Sequence, residues 1–183
     1  MSFERLPTDL EGLILLEASA NEDPRGFLSE TWRTDQMASL GISEEFVQEN
    51  HSRSIKGTLR GIHFQTSPGQ AKLVRCARGT ILDVAVDLRR ESETFGKWEG
   101  FELSDSNRHQ LLVPVGFGHA FCVLSDEADV IYRLSSYYDP ETEAGIAWDD
   151  PDLDIDWPAM PRLVSERDSE APRLAEIANQ LPW

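Results

Sequence analysis

Short apolar runs separated by turn residues recur along most of the chain. They lie at 12–16, 71–76, 80–88, 110–113 and 119–124, and they are rich in β-branched and aromatic residues. Runs of this length suit strands better than helices. Many short strands with few helices favour a sandwich or a barrel, so we predict an all-β fold.

Two segments carry a helical pattern instead. Residues 34–40 can form a short helix with Thr34 as its N-cap, and Gly41 would end it. Leucine and isoleucine recur at helical spacing over 174–181, and Pro172 would lie in the first turn of that helix. We therefore predict a few short peripheral helices around the barrel.

The rest of the chain shows no boundary between domains. A segment dense in Asp, Pro and Trp, 148–161, is predicted to be an ordered loop that packs on the barrel. No repeat or linker interrupts the sequence, so we predict one domain spanning 1–183. No apolar run is long enough to span a bilayer and no signal pattern opens the chain, which predicts a cytoplasmic location.

Composition narrows the classes of partner. The net charge is -16, from 17 basic and 33 acidic residues, so we expect neither nucleic acid nor a membrane as a partner. An anionic small ligand would also be repelled unless its pocket gathers positive charge. Cys76 and Cys122 match neither a disulfide framework nor zinc spacing, and we interpret them as small buried residues.

A predicted strand at 59–65 carries two residues that suit no hydrophobic core. Arg60 and His63 have opposite parity along an ideal strand and would face opposite sides. Gly61 could host a bulge that turns both side chains inward. The alternative is that Arg60 faces solvent while His63 is a partly buried, hydrogen-bonded residue.

Two further polar residues alternate with apolar ones on predicted strands. Lys72 would point inward, toward an anion, if Val74 does; if Leu73 faces inward instead, Lys72 faces water. Tyr132 shares a face with Val130 and Leu134, and it is either a core tyrosine or a functional one.

The segment from Pro114 to His119 has the order Pro-x-Gly-x-x-His before a strand. This order resembles the second motif of the cupin superfamily, whose fold is a double-stranded β-helix, or jelly roll, with the His pointing into the barrel. Metal-binding cupins carry His-x-His in their first motif, but here the strand reads His63-Phe64-Gln65. Two histidines make a weak metal site, so we predict no metal.

Together these stretches resemble the dTDP-4-dehydrorhamnose 3,5-epimerase family, cupin-fold enzymes of deoxysugar biosynthesis. The resemblance runs from about residue 12 to about residue 175 in family order. Its matching stretches are 23–27 with Glu30, 48–52, 59–63, 71–75, 83–89, 114–119, 137–138 and 165–168. Each stretch is weak alone, but their combination in this order is specific to the family.

The resemblance implies roles for individual residues. The catalytic positions fall on His63 as base, Asp168 as its orienting partner, Tyr132 as acid and Lys72 beside the sugar. Arg167 stands where the family often has Lys, which changes the geometry of that contact. The substrate-binding positions fall on Arg25, Phe27, Glu30, Gln48, Glu49, Asn50, Arg60, Lys72, His119, Tyr138, Glu143 and Arg167.

The resemblance also implies a substrate and an assembly. The substrate is expected to be a nucleoside-diphosphate 4-keto-6-deoxyhexose, and Tyr138 would stack on thymine or uracil. The family forms homodimers that exchange N-terminal strands, so residues 25–30 are expected to reach the neighbouring subunit's site. Proton removal and return need no redox step, so we expect no cofactor.

Three competing hypotheses stay open at this point. A sibling enzyme could invert only carbon 3 or only carbon 5 of the sugar. A metal-dependent cupin oxygenase would use the same fold for different chemistry. A binder of sugar nucleotides that has lost its chemistry is disfavoured, because His63, Lys72, Tyr132 and Asp168 occur together.

Overall fold

The computed structural model describes residues 2–159 and 162–183. In this part of the chain, strands dominate. The strands are β1 (Phe3–Leu6), β2 (Ile14–Ala18), β3 (Ala20–Asp23), β4 (Gly26–Ser29), β5 (Gln48–Ile55), β6 (Leu59–Gln65), β7 (Lys72–Arg78), β8 (Thr80–Asp87), β9 (Trp98–Ser104), β10 (His109–Val113), β11 (Phe117–Val123), β12 (Glu127–Leu134) and β13 (Glu143–Gly145). The helices are α1 (Thr34–Ser39), α2 (Glu166–Ser169) and α3 (Leu174–Ile177), followed by a 3₁₀ turn, Ala178–Gln180.

The strands form two antiparallel sheets and one separate hairpin. The first sheet has six strands in the order β1-β2-β10-β7-β12-β5, and the second has five in the order β13-β6-β11-β8-β9. Strands distant in sequence are neighbours in both sheets, as in a jelly roll. This confirms the predicted all-β, cupin-like barrel with short peripheral helices. The hairpin β3–β4 pairs only with itself.

Alternation along the strands divides the apolar residues between the barrel interior and its outer faces. On β7, Val74 and Cys76 belong to the interior cluster, whereas Leu73 packs on the outer side with Met37 of α1. The outer face of the second sheet is covered in the same way by the C-terminal segment, including Leu174. Apolar residues therefore pack on both faces of each sheet.

The first predicted helix is present, but its N-terminal cap differs from the prediction. The N-cap is Arg33 rather than Thr34. The hydroxyl oxygen of Thr34 instead accepts a hydrogen bond from the indole of Trp32 at 3.2 Å. Gly41 follows the helix with a φ of +94°, a backbone conformation that favours glycine, which confirms it as the ending residue.

The C-terminal helix is shorter than predicted. Arg173 is its N-cap, so Pro172 precedes the helix rather than lying in its first turn. The carbonyl of Pro172 accepts a hydrogen bond from the amide of Ala147 at 2.8 Å, which ties this segment to the preceding loop.

The loop predicted at 148–161 is ordered over its described part. The Trp157 indole donates to the Trp148 carbonyl at 2.8 Å, and Leu153 is buried against the second sheet. Residues 160–161 of that prediction lie outside the described residues. Cys76 and Cys122 are both free and buried, as predicted. Among the described residues, no helix is long and apolar enough to cross a bilayer.

Candidate active site

A cavity of about 640 Å³ opens at one end of the barrel, lined by strands of both sheets and by α2. It collects most of the polar residues that the sequence singled out. Those that line it are Gln48, Asn50, Arg60, His63, Lys72, His119, Tyr132, Tyr138, Glu143, Arg167 and Asp168. Many of them come from interior-facing strand positions, so the barrel's own alternation places them together.

The predicted bulge at Gly61 is present on β6. His63 pairs with His119 of β11, and Arg60 pairs with Phe121. Between these two pairs β6 has one residue more than β11, which is the extra residue of a bulge. Gly61 has a φ of +119°, and a Cβ atom there would lie 2.5 Å from the Cβ of Ala120. Only glycine fits this bulge. Because of it, Arg60 and His63 both line the cavity despite their opposite parity.

His63 forms a short hydrogen bond with a carboxylate from the far end of the chain. Its Nε2 lies 2.7 Å from Oδ1 of Asp168, while the amide of Gly61 donates to the other oxygen at 3.3 Å. Asp168 is held by α2, where its amide donates to the Ser165 hydroxyl oxygen at 3.1 Å. If Nε2 carries the proton that Asp168 accepts, Nδ1 carries the lone pair.

The surroundings of Asp168 keep it ionised although it is buried. Burial alone would raise the pKa of its carboxyl group. The hydrogen bond and charge of His63, with the Gly61 amide, outweigh that effect and hold the pKa below its usual value. A charged Asp168 can fix the tautomer of His63 and stabilise its protonated form.

A second histidine–aspartate pair is formed by His119, which lines the cavity, and Asp83, which is fully buried. His119 Nε2 is 2.9 Å from Oδ2 of Asp83. Asp83 is not among the site residues that the sequence predicts. Its parity was a usable signal, because Ile81 and Ala85 on either side along β8 both belong to the interior cluster.

Lys72 points into the barrel, on the side of Val74, which settles the two alternatives for its strand. Its Nζ donates to the backbone carbonyl of His63 at 3.3 Å. Burial lowers the pKa of Lys72 to about 8, and the negative charges of Glu143 and Asp83 only partly oppose this effect. The cavity therefore contains a buried ammonium group whose positive charge is only partly balanced by nearby carboxylates.

Tyr132 faces the same cavity from the opposite sheet. It lies on β12 in the first sheet, whereas His63 lies on β6 in the second. Its hydroxyl oxygen accepts a hydrogen bond from the amide of Asn50 at 3.4 Å, and Gln48 donates to Asn50 at 2.9 Å. An imidazole and a phenol thus face one space from two sides.

The rim of the cavity carries an aromatic ring within a charged cluster. Tyr138 is about half exposed, and Glu143 forms an ion pair with Arg167 beside it. The hydrogen bond to Glu143 is the main cause that raises the pKa of the Tyr138 phenol above its ordinary value. A flat ring and a guanidinium group at the rim suit a base and its attached phosphates.

Comparison with known proteins agrees with this geometry. A family model described as dTDP-4-dehydrorhamnose 3,5-epimerase matches residues 7–176. The chain belongs to this epimerase family. The dTDP-4-dehydrorhamnose 3,5-epimerase of Methanothermobacter thermautotrophicus is 46% identical over 169 residues, which cover 91% of each chain.

Two further members of the epimerase family are similar to this chain, one in sequence and one in structure. The dTDP-4-dehydrorhamnose 3-epimerase of Streptomyces niveus is 44% identical over 172 residues, or 93% of this chain and 83% of that relative. The dTDP-6-deoxy-D-glucose-3,5-epimerase of Legionella pneumophila, solved in complex with dTDP-4-keto-L-rhamnose, superposes with a TM-score of 0.94 at 42% identity. That alignment covers 98% of this chain and 96% of the other.

Four substrate-binding positions inferred from the epimerase family lie outside this cavity. Glu49 alternates with Gln48 along β5 and pairs with Arg133 at 2.8 Å instead. Phe27 and Arg25 lie on the exposed β3–β4 hairpin, where Arg25 pairs with Asp23. Glu30 follows that hairpin and does not line the cavity either. A single subunit therefore does not bring these side chains to the site.

Proposed function

We propose that this protein epimerises carbons 3 and 5 of a dTDP-4-keto-6-deoxyhexose, converting dTDP-4-dehydro-6-deoxyglucose to dTDP-4-dehydrorhamnose. The observation that carries the proposal is the pairing of His63 with Asp168 on one wall of a cavity and Tyr132 on the other. Two groups that exchange protons from opposite sides are what inversion of a carbon centre requires.

The first step is removal of a proton next to the ketone. His63 accepts the proton, and the electron pair of the broken C–H bond moves into the adjacent carbonyl to give an enolate. Asp168 stabilises the imidazolium that forms, because its carboxylate lies 2.7 Å from the ring. Asp83 holds His119 by the same kind of contact, so His119 is a fixed hydrogen-bonding group deep in the sugar pocket.

Lys72 supplies the charge that the enolate needs. Its ammonium group is buried in the cavity and hydrogen-bonded to the backbone beside the base. Negative charge that develops on the substrate's 4-keto oxygen is stabilised most strongly by a fixed cation in a site shielded from water.

Tyr132 completes the inversion. Its hydroxyl group donates a proton to the face of the enolate opposite His63, and the electron pair of the enolate forms the new C–H bond. The phenolate and the imidazolium then return to their starting states by exchange with solvent. The same pair can serve carbon 3 and carbon 5, since both flank the ketone.

The nucleotide part of the substrate is proposed to lie toward the rim. Arg60 and Arg167 line the cavity and suit the diphosphate, which explains how a chain of net charge -16 can bind an anion. Tyr138 would stack on the thymine. The protein is further proposed to act as one domain, 1–183, in the cytoplasm, and as a homodimer in which Arg25, Phe27 and Glu30 reach the partner's cavity.

The experiment that tests the function follows deuterium from solvent into dTDP-4-keto-6-deoxyglucose by NMR. Wild-type protein should incorporate label at carbons 3 and 5 with inversion. His63→Ala should lose exchange by about a thousandfold while it still binds dTDP, because it lacks the base. Tyr132→Phe should continue to exchange label but fail to invert carbon 5. Exchange at the wild-type rate in His63→Ala would exclude His63 as the base.

A second candidate is inversion at carbon 3 alone. The Streptomyces niveus relative, named a 3-epimerase, is about as similar to this chain as the 3,5-epimerases are. The same NMR experiment separates the two, because a 3-epimerase would invert carbon 3 and leave carbon 5 in its original configuration.

A further inference from the structure

Gln65 occupies the position where metal-binding cupins carry the second histidine of His-x-His. It lies at the end of β6, two residues after His63, and only 3% of it is exposed. A buried primary amide is costly unless all its donors and acceptors are satisfied. The partners of Gln65 therefore indicate what this residue does.

The Gln65 amide makes four hydrogen bonds, and three of them go to one loop. Its Nε2 donates to the Ser136 hydroxyl oxygen and to the Tyr137 carbonyl, both at 3.2 Å. Its Oε1 accepts from the Asp139 amide and from the Gln70 side chain, both at 3.3 Å. Gln70 in turn donates to the Ser136 carbonyl at 3.0 Å.

The loop that Gln65 binds, residues 135–139, follows β12 and carries Tyr138; we call it the aromatic strap. Two more side chains hold it: the Ser135 hydroxyl oxygen accepts from the Ala71 amide at 2.8 Å, and Gln48 Oε1 accepts from the Tyr138 amide at 3.0 Å. No residue of the strap belongs to a strand. Three glutamine side chains thus hold the strap where the strand ladder ends, besides a backbone bond from the Ser135 amide to the Ala71 carbonyl at 3.0 Å.

We propose that Gln65 is a positioning residue that fixes the aromatic strap, so that the ring of Tyr138 is held in place to stack on the nucleotide base. The inference rests on the proposed function, since it needs a nucleotide at the rim. A strap held rigid before binding loses less conformational entropy when the base stacks, and affinity rises for that reason. The side-chain partners of Gln65 are the strap and Gln70, so the effect of its amide falls on binding rather than on proton transfer.

The test replaces Gln65 by methionine, which keeps the length of the side chain and removes all four hydrogen bonds. Calorimetry with dTDP alone should show binding about tenfold weaker than in wild type. With the sugar nucleotide, KM should rise by a similar factor while kcat stays within about twofold, since the proton-transfer groups are unchanged. Ser136→Ala, a milder change to the same contacts, should shift both quantities in the same direction by less.

A double-mutant cycle with Tyr138→Ala separates positioning from general damage. In the Tyr138→Ala protein, Gln65→Met should weaken dTDP binding no further, because the ring it positions is gone. Ser125→Ala is the matched control: it removes a hydroxyl group that accepts from the Thr80 amide at 2.9 Å and lies outside the cavity. It should lower the melting temperature without changing dTDP affinity.

Three outcomes would overturn the inference. They are unchanged dTDP affinity in Gln65→Met, losses that add fully in the cycle with Tyr138→Ala, and a fall in kcat with KM unchanged. The proposed function fails on a different result, namely wild-type protein that binds dTDP but incorporates no label into the keto sugar.

Discussion

At the scale of single residues, the burial of Lys72 bears on its proposed catalytic role. Its ammonium group is protonated below a pKa of about 8 and becomes a neutral amine above it, because burial disfavours the charge. Only the protonated form stabilises an enolate. The state of one amine therefore sets the alkaline limit of the proposed reaction.

We expect kcat/KM to fall as pH rises through about 8, with a slope of about one decade per pH unit above it. Initial rates of label incorporation across pH 6 to 10, in buffers of constant ionic strength, provide the measurement. Lys72→Met should remove this limb and lower the rate at neutral pH by about a hundredfold or more. A profile that stays flat through pH 9 would contradict the role given to Lys72.

Strand parity puts Lys72 on the face of Val74 and Tyr132 on the face of Val130, but it leaves open whether Lys72 faces inward and whether Tyr132 is only a core residue. Both valines lie in the barrel interior, which settles the direction of the two side chains. The family resemblance predicts Glu49 together with its neighbours as one continuous motif, although its parity opposes that of Gln48 and Asn50. Parity marks Asp83 as interior-facing, but its partner His119 becomes visible only when β8 and β11 are paired.

At the scale of elements, the bulge in β6 fixes the position of His63, the proposed base. A Cβ at position 61 would meet the His119 carbonyl oxygen at 2.6 Å as well as Ala120. That atom cannot move without shifting β11, which carries His119. A change at position 61 would therefore shift the β6–β11 pairing and, with it, the positions of both His63 and His119.

Gly61→Ala should destabilise the fold by about 2 kcal/mol or more, from a positive φ and a backbone clash, and displace His63. Urea unfolding and label exchange measure the two effects, and we expect exchange to fall about tenfold or more. Gly96→Ala is the control: its φ is +73°, but the nearest atom to an added Cβ is 3.7 Å away. Equal losses in both variants would show that the clash is irrelevant to catalysis.

Element boundaries were the weaker part of the sequence prediction. Apolar spacing predicts both helical regions and the strands with apolar runs, such as β2, β7, β8, β10 and β11, and Gly41 is correctly predicted to end α1. The N-terminal cap of α1 and the start of α3 are not. Thr34 has the right chemistry for an N-cap, but Trp32 uses its hydroxyl oxygen, and the helix starts one residue earlier than that assignment requires. Competition for one side chain depends on contacts that spacing does not reveal.

At the scale of the whole molecule, the exposed hairpin β3–β4 does not line the cavity of its own subunit. The Arg25 side chain is 90% exposed and pairs only locally with Asp23. Aromatic and cationic groups held out in solvent suit a neighbouring subunit's nucleotide. This fits the proposed homodimer with exchanged N-terminal strands.

Mixed dimers provide a test of that exchange. Arg25→Ala dimers should bind dTDP weakly, and His63→Ala dimers should be inactive. A dimer with one chain of each kind should recover about half of the wild-type rate, because one of its two sites has both native residues. Co-expression with two affinity tags isolates this species. If Arg25 served its own barrel, neither site would be intact, and at subsaturating substrate the mixed dimer would be no more than half as active as the Arg25→Ala dimer.

The hydrogen bond between His63 and Asp168 joins positions 105 residues apart, from β6 to α2 beyond the last strand. Strands through β13 can all be made and paired before the segment that carries Asp168 exists. The imidazole of His63 therefore meets its carboxylate only after a segment beyond the last strand has docked on the barrel. A chain cut between β13 and α2 would lack that carboxylate, and the proposed base would then lose the group that orients it.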